Sequence, residues 1–222
     1  MFDTLLSLIA PHHCLGCERE GYLLCPGCRK ALPSLPSVCY RCGTATLASI
    51  TCKPCRGKTA LAAVYTATKY EGVAKDIVWK LKFGGTQAAV KDMAKLMLDN
   101  YLISEISEEV LLVPIPTATS HVRTRGYDQA RLLARSIARS TGHPYTPCLA
   151  RVGQRHQIGA TRKQRFEQLA DAIRITAGYN VSGAHILLID DVLTTGATLE
   201  AAASVFKKAG ARQIDAIVFA RA

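Results

Sequence analysis

The pattern of apolar and polar positions predicts alternating strands and helices over most of the chain. Continuous apolar runs occur at 110–113 and 186–189, as is typical of parallel strands buried on both faces. Segments with a helical repeat of apolar residues lie at 73–83, 87–101, 131–141 and 199–208. Further strands are predicted at 61–70, 145–150, 173–176 and 211–220, the last with apolar residues at alternate positions. This order of elements favours an α/β fold with a parallel sheet flanked by helices.

The strand at 186–189 runs directly into Asp190 and Asp191, and we expect it to stop there. Small and hydroxylated residues follow at 194–198, and then a helix that ends near Gly210. The N-terminus of a helix suits a phosphate, and Gly196 allows close approach of the backbone. Two carboxylates would repel a phosphate, but they can accept hydrogen bonds from neighbouring sugar hydroxyls beside a divalent cation. The segment therefore predicts a ribose-5-phosphate site; the alternative is an Asp-Asp turn that caps a helix by chance.

Basic residues follow the strand that ends at Pro114. Arg123 and Arg125 lie in a predicted loop, just before the helix that Asp128 is expected to cap. In a parallel sheet the carboxyl ends of strands open on the same side, so this loop should face the acidic pair across one crevice. A second basic segment, 151–165, has no acidic residue and contains Arg151, Arg155, Arg162, Lys163 and Arg165. It fits closure over a pyrophosphate, contact with nucleic acid, or a solvated loop.

Eight of the nine cysteines form four Cys-x-x-Cys pairs near the N-terminus. The pairs are Cys14/Cys17, Cys25/Cys28, Cys39/Cys42 and Cys52/Cys55. Each pair can give two thiolates to one tetrahedral ion, and the short spacings favour two sequential zinc sites, with an interleaved arrangement left open. A complete four-thiolate shell leaves no position for water, so the zinc is predicted to be structural. We expect a zinc-ribbon module at 1–58 and the α/β domain at 59–222.

Composition narrows the class of protein and of partner. At 222 residues and 49% hydrophobic content, the chain can form one domain and a small module. No apolar run approaches the roughly 20 residues that span a bilayer, and the apolar start at 2–11 lacks a basic leader. We therefore expect a reducing, cytoplasmic compartment, which favours metal over disulfides. The net charge of +11 favours nucleic acid or phosphorylated small molecules, or reflects a basic solvated surface.

Together these motifs resemble the ComF family, and the segment around the acidic pair resembles the phosphoribosyl-diphosphate (PRPP) motif of type I phosphoribosyltransferases. Besides the cysteine pairs, the resemblance rests on Leu81-Lys82-Phe83-Gly84-Gly85, Val113-Pro114-Ile115-Pro116, Arg125-Gly126-Tyr127-Asp128-Gln129-Ala130 and Leu188-Ile189-Asp190-Asp191-Val192-Leu193-Thr194-Thr195-Gly196. The resemblance implies a type I phosphoribosyltransferase fold, PRPP binding with magnesium, and a role in natural competence, where imported single-stranded DNA is handled inside the cell.

Two functions from different classes follow. As an enzyme, the chain would transfer a phosphoribosyl group to an unidentified acceptor, with Asp190, Asp191, Arg125 and Arg162 as candidate catalytic residues. The transition state is cation-like, so catalysis would rest on charge placement and exclusion of water. As a binding protein, it would be a PRPP-responsive competence factor that holds single-stranded DNA and contacts other competence proteins. The predicted PRPP-binding residues are Asp190, Asp191, Val192, Leu193, Thr194, Thr195, Gly196, Ala197, Thr198, Arg123, Arg125 and Gly126.

Overall fold

The structure is a computed structural model that describes residues 12–85, 87–99, 101, 109–151 and 172–222. Its helices and strands alternate along most of the chain, as the apolar pattern predicts. In chain order they are α1 (Pro26–Lys30), a 3-10 turn (Leu47–Ser49), α2 (Lys53–Arg56), β1 (Ala63–Lys69), α3 (Gly72–Phe83), α4 (Val90–Asp99), β2 (Val110–Pro114), α5 (Thr119–Arg125), α6 (Gln129–Thr141), β3 (Leu149–Arg151), β4 (Ile173–Ile175), β5 (His185–Leu193), α7 (Ala197–Lys208) and β6 (Gln213–Arg221).

A parallel sheet forms the centre of the part of the chain that the structure describes. Its strands lie in the order β1-β6-β5-β2, and β3 and β4 form a separate antiparallel pair. In β5, Leu187 and Ile189 join a core with α3, α4 and α6, while Ile186 and Leu188 join a second core with α7. Successive side chains of a strand point to opposite faces of the sheet. The continuous apolar run of β5 therefore fills one core with every second residue and the other core with the residues between them. The predicted α/β architecture is confirmed.

Three local predictions need correction. The strand β5 does not stop at the acids: Asp190 pairs with Val218 and Val192 with Ala220, because β6 is long enough to extend the ladder to Leu193. The segment with Arg123 and Arg125 is the short helix α5, not a loop. The last strand does not alternate between buried and exposed positions, since β6 lies between β1 and β5 and is covered on both faces.

The cysteine-rich segment shares its apolar side chains with the sheet domain. Leu23 and Leu24 are buried in the core formed with α3 and α4, and Tyr40 joins the core on the opposite face. Hydrogen bonds also join the two parts: Thr51 N donates to Ala62 O at 2.7 Å, and Thr68 Oγ1 to Pro33 O at 2.9 Å. The boundary at residue 58 stays a prediction, and the apolar contacts cross it.

The described residues contain no helix with both the length and the apolar character that a membrane crossing requires.

Candidate functional site

The crevice of the sheet lies at the carboxyl end of β2, where the neighbouring β5 continues through the acidic pair to Leu193. Pro114 of β2 pairs with Ile189 of β5, and Ile115 N donates to Ile189 O at 2.9 Å. The helices that follow these neighbouring strands cover opposite faces, since α6 joins the core with α3 and α4 whereas α7 joins the other. The loops after the strands therefore diverge and leave an opening, which is where ligands bind in open α/β sheets. The acidic segment and the arginine segment that the sequence predicts thus begin at the same edge of the sheet.

The two carboxylates differ in their surroundings. Asp191 is buried, and its Oδ1 accepts a hydrogen bond from Lys82 Nζ at 2.9 Å. Asp190 is partly buried, and its Oδ1 accepts a hydrogen bond from the backbone N–H of Asp191 at 2.8 Å. Removal from water, reinforced by the charge of Asp191, raises the pKa of Asp190 to about 8. With a pKa of about 8, Asp190 is mostly protonated at neutral pH.

A further cation lies close to this pair. Arg151 ends β3, and its positive charge interacts with Asp190. Burial lowers the pKa of the Arg151 guanidinium, and the charge of Asp190 opposes that shift. Within the described ranges, the buried Nε of Arg151 has no hydrogen-bond partner.

The segment after the acids, residues 194–198, is here called the phosphate loop. It turns into α7 at Gly196, whose φ of 76° lies in the left-handed region that glycine adopts at little cost. Thr194 and Thr195 are exposed, and Thr195 Oγ1 accepts a hydrogen bond from Ala197 N at 3.4 Å. The helix begins at Ala197, two residues earlier than predicted, so its free N–H groups lie within the predicted phosphate site.

The described contacts do not bring Arg123 or Arg125 to the acidic pair. Arg125 lies over the ring of Phe83, with its guanidinium carbon 5.1 Å from the centroid, and Nη1 donates to Gln129 Oε1 at 3.1 Å. Arg123 is exposed on the same helix. Arg162 lies outside the described residues, as does most of the predicted 151–165 loop. The roles assigned to these three arginines stay predictions.

Lys82 connects the acids to a cavity of about 330 Å³. The cavity is lined by Lys82, Phe83, Gly85, His121, Thr124, Arg125 and Tyr127. Among the described residues, the lining therefore carries cations and exposed aromatic surface but no carboxylate. From the sequence, Lys82 could reach an anion or be an ordinary exposed lysine; the structure places it on Asp191, just before Gly84-Gly85, where α3 ends.

The eight paired cysteines form two clusters in sequential order, so the interleaved alternative is wrong. The first cysteine cluster contains Cys14, Cys17, Cys25 and Cys28, and the second contains Cys39, Cys42, Cys52 and Cys55. In each, the sulfur atoms lie within 4.8 Å of one another. A tetrahedral zinc with Zn–S bonds of about 2.3 Å separates its sulfurs by about 3.8 Å, so the donor sets fit.

None of these cysteines is in a disulfide. The separations of 3.6 Å from Cys17 Sγ to Cys25 Sγ, and of 3.5 Å from Cys42 Sγ to Cys52 Sγ, are far longer than an S–S bond.

Comparison with known proteins supports this assignment of the fold. The family model described as "Phosphoribosyl transferase domain" matches residues 129–222, which contain the acidic pair and the phosphate loop. The C-terminal part of the chain is thus similar to a phosphoribosyl transferase domain. The match to a solved "allosteric regulatory enzyme of purine biosynthesis" covers 59% of this chain and 25% of that chain at 19% identity, with a TM-score of 0.39.

Curated relatives match most of the chain. Competence protein ComFC of Bacillus subtilis is 27% identical over 195 residues, 84% of this chain and 79% of that protein. ComFC of Streptococcus pneumoniae is 28% identical over 223 residues, 96% of this chain and 90% of that protein. The DNA utilization protein YhgH of Escherichia coli K12 is 25% identical over 204 residues, with 86% and 87% covered. With the two cysteine clusters, these matches confirm the resemblance to the ComF family.

Proposed function

We propose that the crevice binds PRPP together with Mg²⁺, and that the protein acts on this ligand in natural competence or DNA uptake. The observation that carries the proposal is the sequence of chemical groups at the end of β5. Asp190 and Asp191 come first, Gly196 then turns the chain, and α7 begins with free N–H groups. This order suits PRPP, because it puts carboxylates beside the ribose and the N-terminus of a helix beside the 5′-phosphate.

Each part of PRPP has matching groups on the chain. The 5′-phosphate would lie against the phosphate loop, where Thr194 and Thr195 add hydroxyl donors. Asp190 and Asp191 would accept hydrogen bonds from the ribose 2′- and 3′-hydroxyls. The pyrophosphate would lie toward the cations: Lys82 and Arg151 interact with the acidic pair, and Arg125 lines the same cavity as Lys82. Magnesium, when bound, neutralises phosphate charge and is held through oxygen ligands.

Transfer is the proposed chemistry, and the chain's contribution to it is electrostatic. Breaking the bond between the anomeric carbon and pyrophosphate leaves positive charge on the ribose and negative charge on the leaving group. Carboxylates beside the ribose stabilise the positive charge, and lysine and arginine side chains stabilise the negative charge of the pyrophosphate. The nucleophile comes from a second substrate, and both electrons of the breaking bond leave with the pyrophosphate.

The binding test uses titration calorimetry of PRPP, with and without Mg²⁺. Replacing Asp190→Asn and Asp191→Asn together should weaken binding, because both hydroxyl acceptors lose their charge. Asp76→Asn is the matched control, since Asp76 is an exposed acid on α3. If the double variant binds PRPP as tightly as the wild type, the proposed site is wrong.

A second candidate function, PRPP-responsive binding of single-stranded DNA, is favoured by exposed aromatic residues. Trp79 is 53% exposed and Phe83 is 64% exposed, on adjoining turns of α3. Their ring centroids lie 5.9 Å apart, and Arg125 covers the Phe83 ring. Large exposed aromatics beside cations form the surface on which unpaired bases stack. The net charge of +11 supports backbone contact as well.

Two assays separate the enzyme from the binding protein. The first screens nucleobases for pyrophosphate release from PRPP in the presence of Mg²⁺. The second measures binding of a fluorescent single-stranded oligonucleotide as a function of salt concentration. Release with any base, lost in the Asp190→Asn/Asp191→Asn variant, supports transfer. If no base causes release of pyrophosphate and DNA binding weakens with salt, transfer to a nucleobase is excluded and the DNA-binding function is supported.

We also propose that zinc occupies both cysteine clusters and that the protein works in the reducing cytoplasm. The eight free thiols arranged as two compact donor sets support both statements. Metal analysis of the purified protein should give about two zinc ions per chain, one for each four-thiolate set.

A further inference from the structure

The second cysteine cluster contacts the start of α7, directly behind the phosphate loop. Two residues, Tyr40 and Arg41, lie between Cys39 and Cys42 and form what is here called the second knuckle. The Tyr40 ring lies so close to Gly196 that a Cβ at Gly196 would be 3.6 Å from it. Arg221, at the end of β6, donates from Nη2 to Tyr40 O at 3.1 Å. The knuckle is thus fixed against the same loop that is proposed to bind phosphate.

Glu200 joins the knuckle to the helix. It lies in the first turn of α7, is 8% exposed, and accepts hydrogen bonds from the Tyr40 hydroxyl and from Arg41 Nη1. Its other oxygen accepts a hydrogen bond from Thr59 Oγ1 at 2.7 Å. A buried carboxylate is costly unless it is paired and hydrogen-bonded, and two of these three donors belong to the knuckle. The position of the first turn of α7 therefore depends on the conformation of the knuckle.

A bound metal would hold the knuckle in that conformation. The two cysteines that bracket Tyr40 and Arg41 are ligand candidates of one cluster, and a metal bound there fixes the backbone between them. The turn is also held by Arg221 Nη2, which donates to Tyr40 O at 3.1 Å, and by Arg41 Nη1, which donates to Lys58 O at 2.9 Å. Because Tyr40 and Arg41 sit in a turn rather than in a helix or strand, loss of metal from both bracketing cysteines should still loosen their hold on Glu200. The second cluster is thus connected to the phosphate loop through Glu200 and through the Tyr40 ring beside Gly196.

The first cysteine cluster provides an internal comparison. Its described contacts lie on the other face of the sheet, where Leu23 and Leu24 enter the core with α3 and α4. Its ion pair joins Arg29 to Asp92 of α4 at 3.7 Å. None of these contacts reaches α7, so loss of metal from the first cluster should leave the phosphate loop in place.

We propose that Tyr40, Arg41 and Glu200 are positioning residues that link metal in the second cysteine cluster to the geometry of the phosphate loop. The affinity for PRPP and the retention of that metal are then coupled. Coupling between two sites is reciprocal, so PRPP should slow the loss of metal from the second cluster as metal strengthens PRPP binding. The ligand part of this statement rests on the proposed function; the structural link does not.

Hydrogen exchange tests the link without any ligand. Amide exchange across residues 194–200 is compared between wild type, Cys42→Ser in the second cluster and Cys17→Ser in the first. We expect faster exchange in Cys42→Ser and an unchanged rate in Cys17→Ser. Glu200→Gln and Arg41→Met keep all eight thiols and should also speed exchange, so the test does not depend on a cysteine variant that fails to fold. If Glu200→Gln and Arg41→Met both keep their zinc and exchange at the wild-type rate, the proposal is wrong.

PRPP binding tests the coupling. Glu200→Gln should weaken PRPP binding by about 5- to 150-fold, the usual range for coupled sites, while Asp92→Asn, the matched change beside the first cluster, should not. In the Cys17→Ser protein, which retains only the second cluster, PRPP should slow zinc release to a chelator. Equal PRPP affinity in wild type and Glu200→Gln would refute the coupling. If wild type itself does not bind PRPP, the proposed function is wrong, and the exchange comparison alone decides the link.

Discussion

The raised pKa of Asp190 predicts that PRPP binding tightens between pH 7 and pH 9. The carboxyl is partly buried beside Asp191, and its pKa is about 8. A protonated Asp190 must lose its proton before it can serve as a charged acceptor beside Mg²⁺. With a pKa of about 8, the protonated fraction falls from about 90% at pH 7 to about 10% at pH 9. The apparent dissociation constant should therefore fall about tenfold over this range, or about 1.4 kcal/mol.

Titration calorimetry at equal ionic strength measures this change directly. Repeating the titration in two buffers with different ionisation enthalpies gives the number of protons released, which should be about 0.9 per PRPP at pH 7. The variant Asp190→Asn cannot ionise, so its weaker binding should not change over the same range. A wild-type affinity that does not change from pH 7 to pH 9, or an Asp190→Asn profile as steep as the wild type, would refute the reasoning.

The same shift has a consequence for stability in the absence of ligand. Because the folded-state pKa of Asp190 is raised, the folded protein binds this proton more tightly than the unfolded chain. The stabilisation is complete below the unfolded pKa, near 3.8, and is lost as pH rises through about 8. At pH 8 and above, Asp190→Asn should therefore be more stable than wild type while binding PRPP less well. A lower melting temperature for the variant at pH 9 would contradict this account.

Further predictions follow from single contacts. Leu24→Ala should lower the free energy of unfolding by about 2–5 kcal/mol in one cooperative transition, since this side chain is in the shared core; two separate transitions in denaturant would contradict this. Gly196→Ala forces a non-glycine residue to a φ of 76° and should cost about 1–2 kcal/mol in thermal unfolding, with weaker PRPP binding. Phe83→Ala should weaken single-stranded DNA binding by about 5- to 150-fold in fluorescence titrations, whereas Phe83→Trp should not; equal loss in both would argue against stacking.

Local patterns predicted the parts of the structure that short segments determine. The apolar run before Asp190 and Asp191 is a buried strand because both faces of the sheet are covered, and the cysteine pairs form sequential clusters because short connections bring neighbouring pairs together. Asp128 caps α6, as its position before the helix predicts, by accepting a hydrogen bond from Arg131 N at 3.2 Å. These features depend on a few consecutive residues.

The rest depends on contacts between residues far apart in the chain. Lys82 meets Asp191 across 109 positions, and Tyr40 meets Glu200 across 160. Neither pairing can be predicted from its own segment, because only the folded sheet brings the partners together. The end of β5 was misplaced for the same reason: the ladder continues through the acids because its neighbour β6 does.

A crystal structure of the protein with PRPP and Mg²⁺ tests the central claim most directly. The account predicts ribose hydroxyls within hydrogen-bonding distance of Asp190 and Asp191, and the 5′-phosphate against residues 194–198 at the start of α7. PRPP bound elsewhere, or with its pyrophosphate rather than its 5′-phosphate at that helix N-terminus, would contradict it.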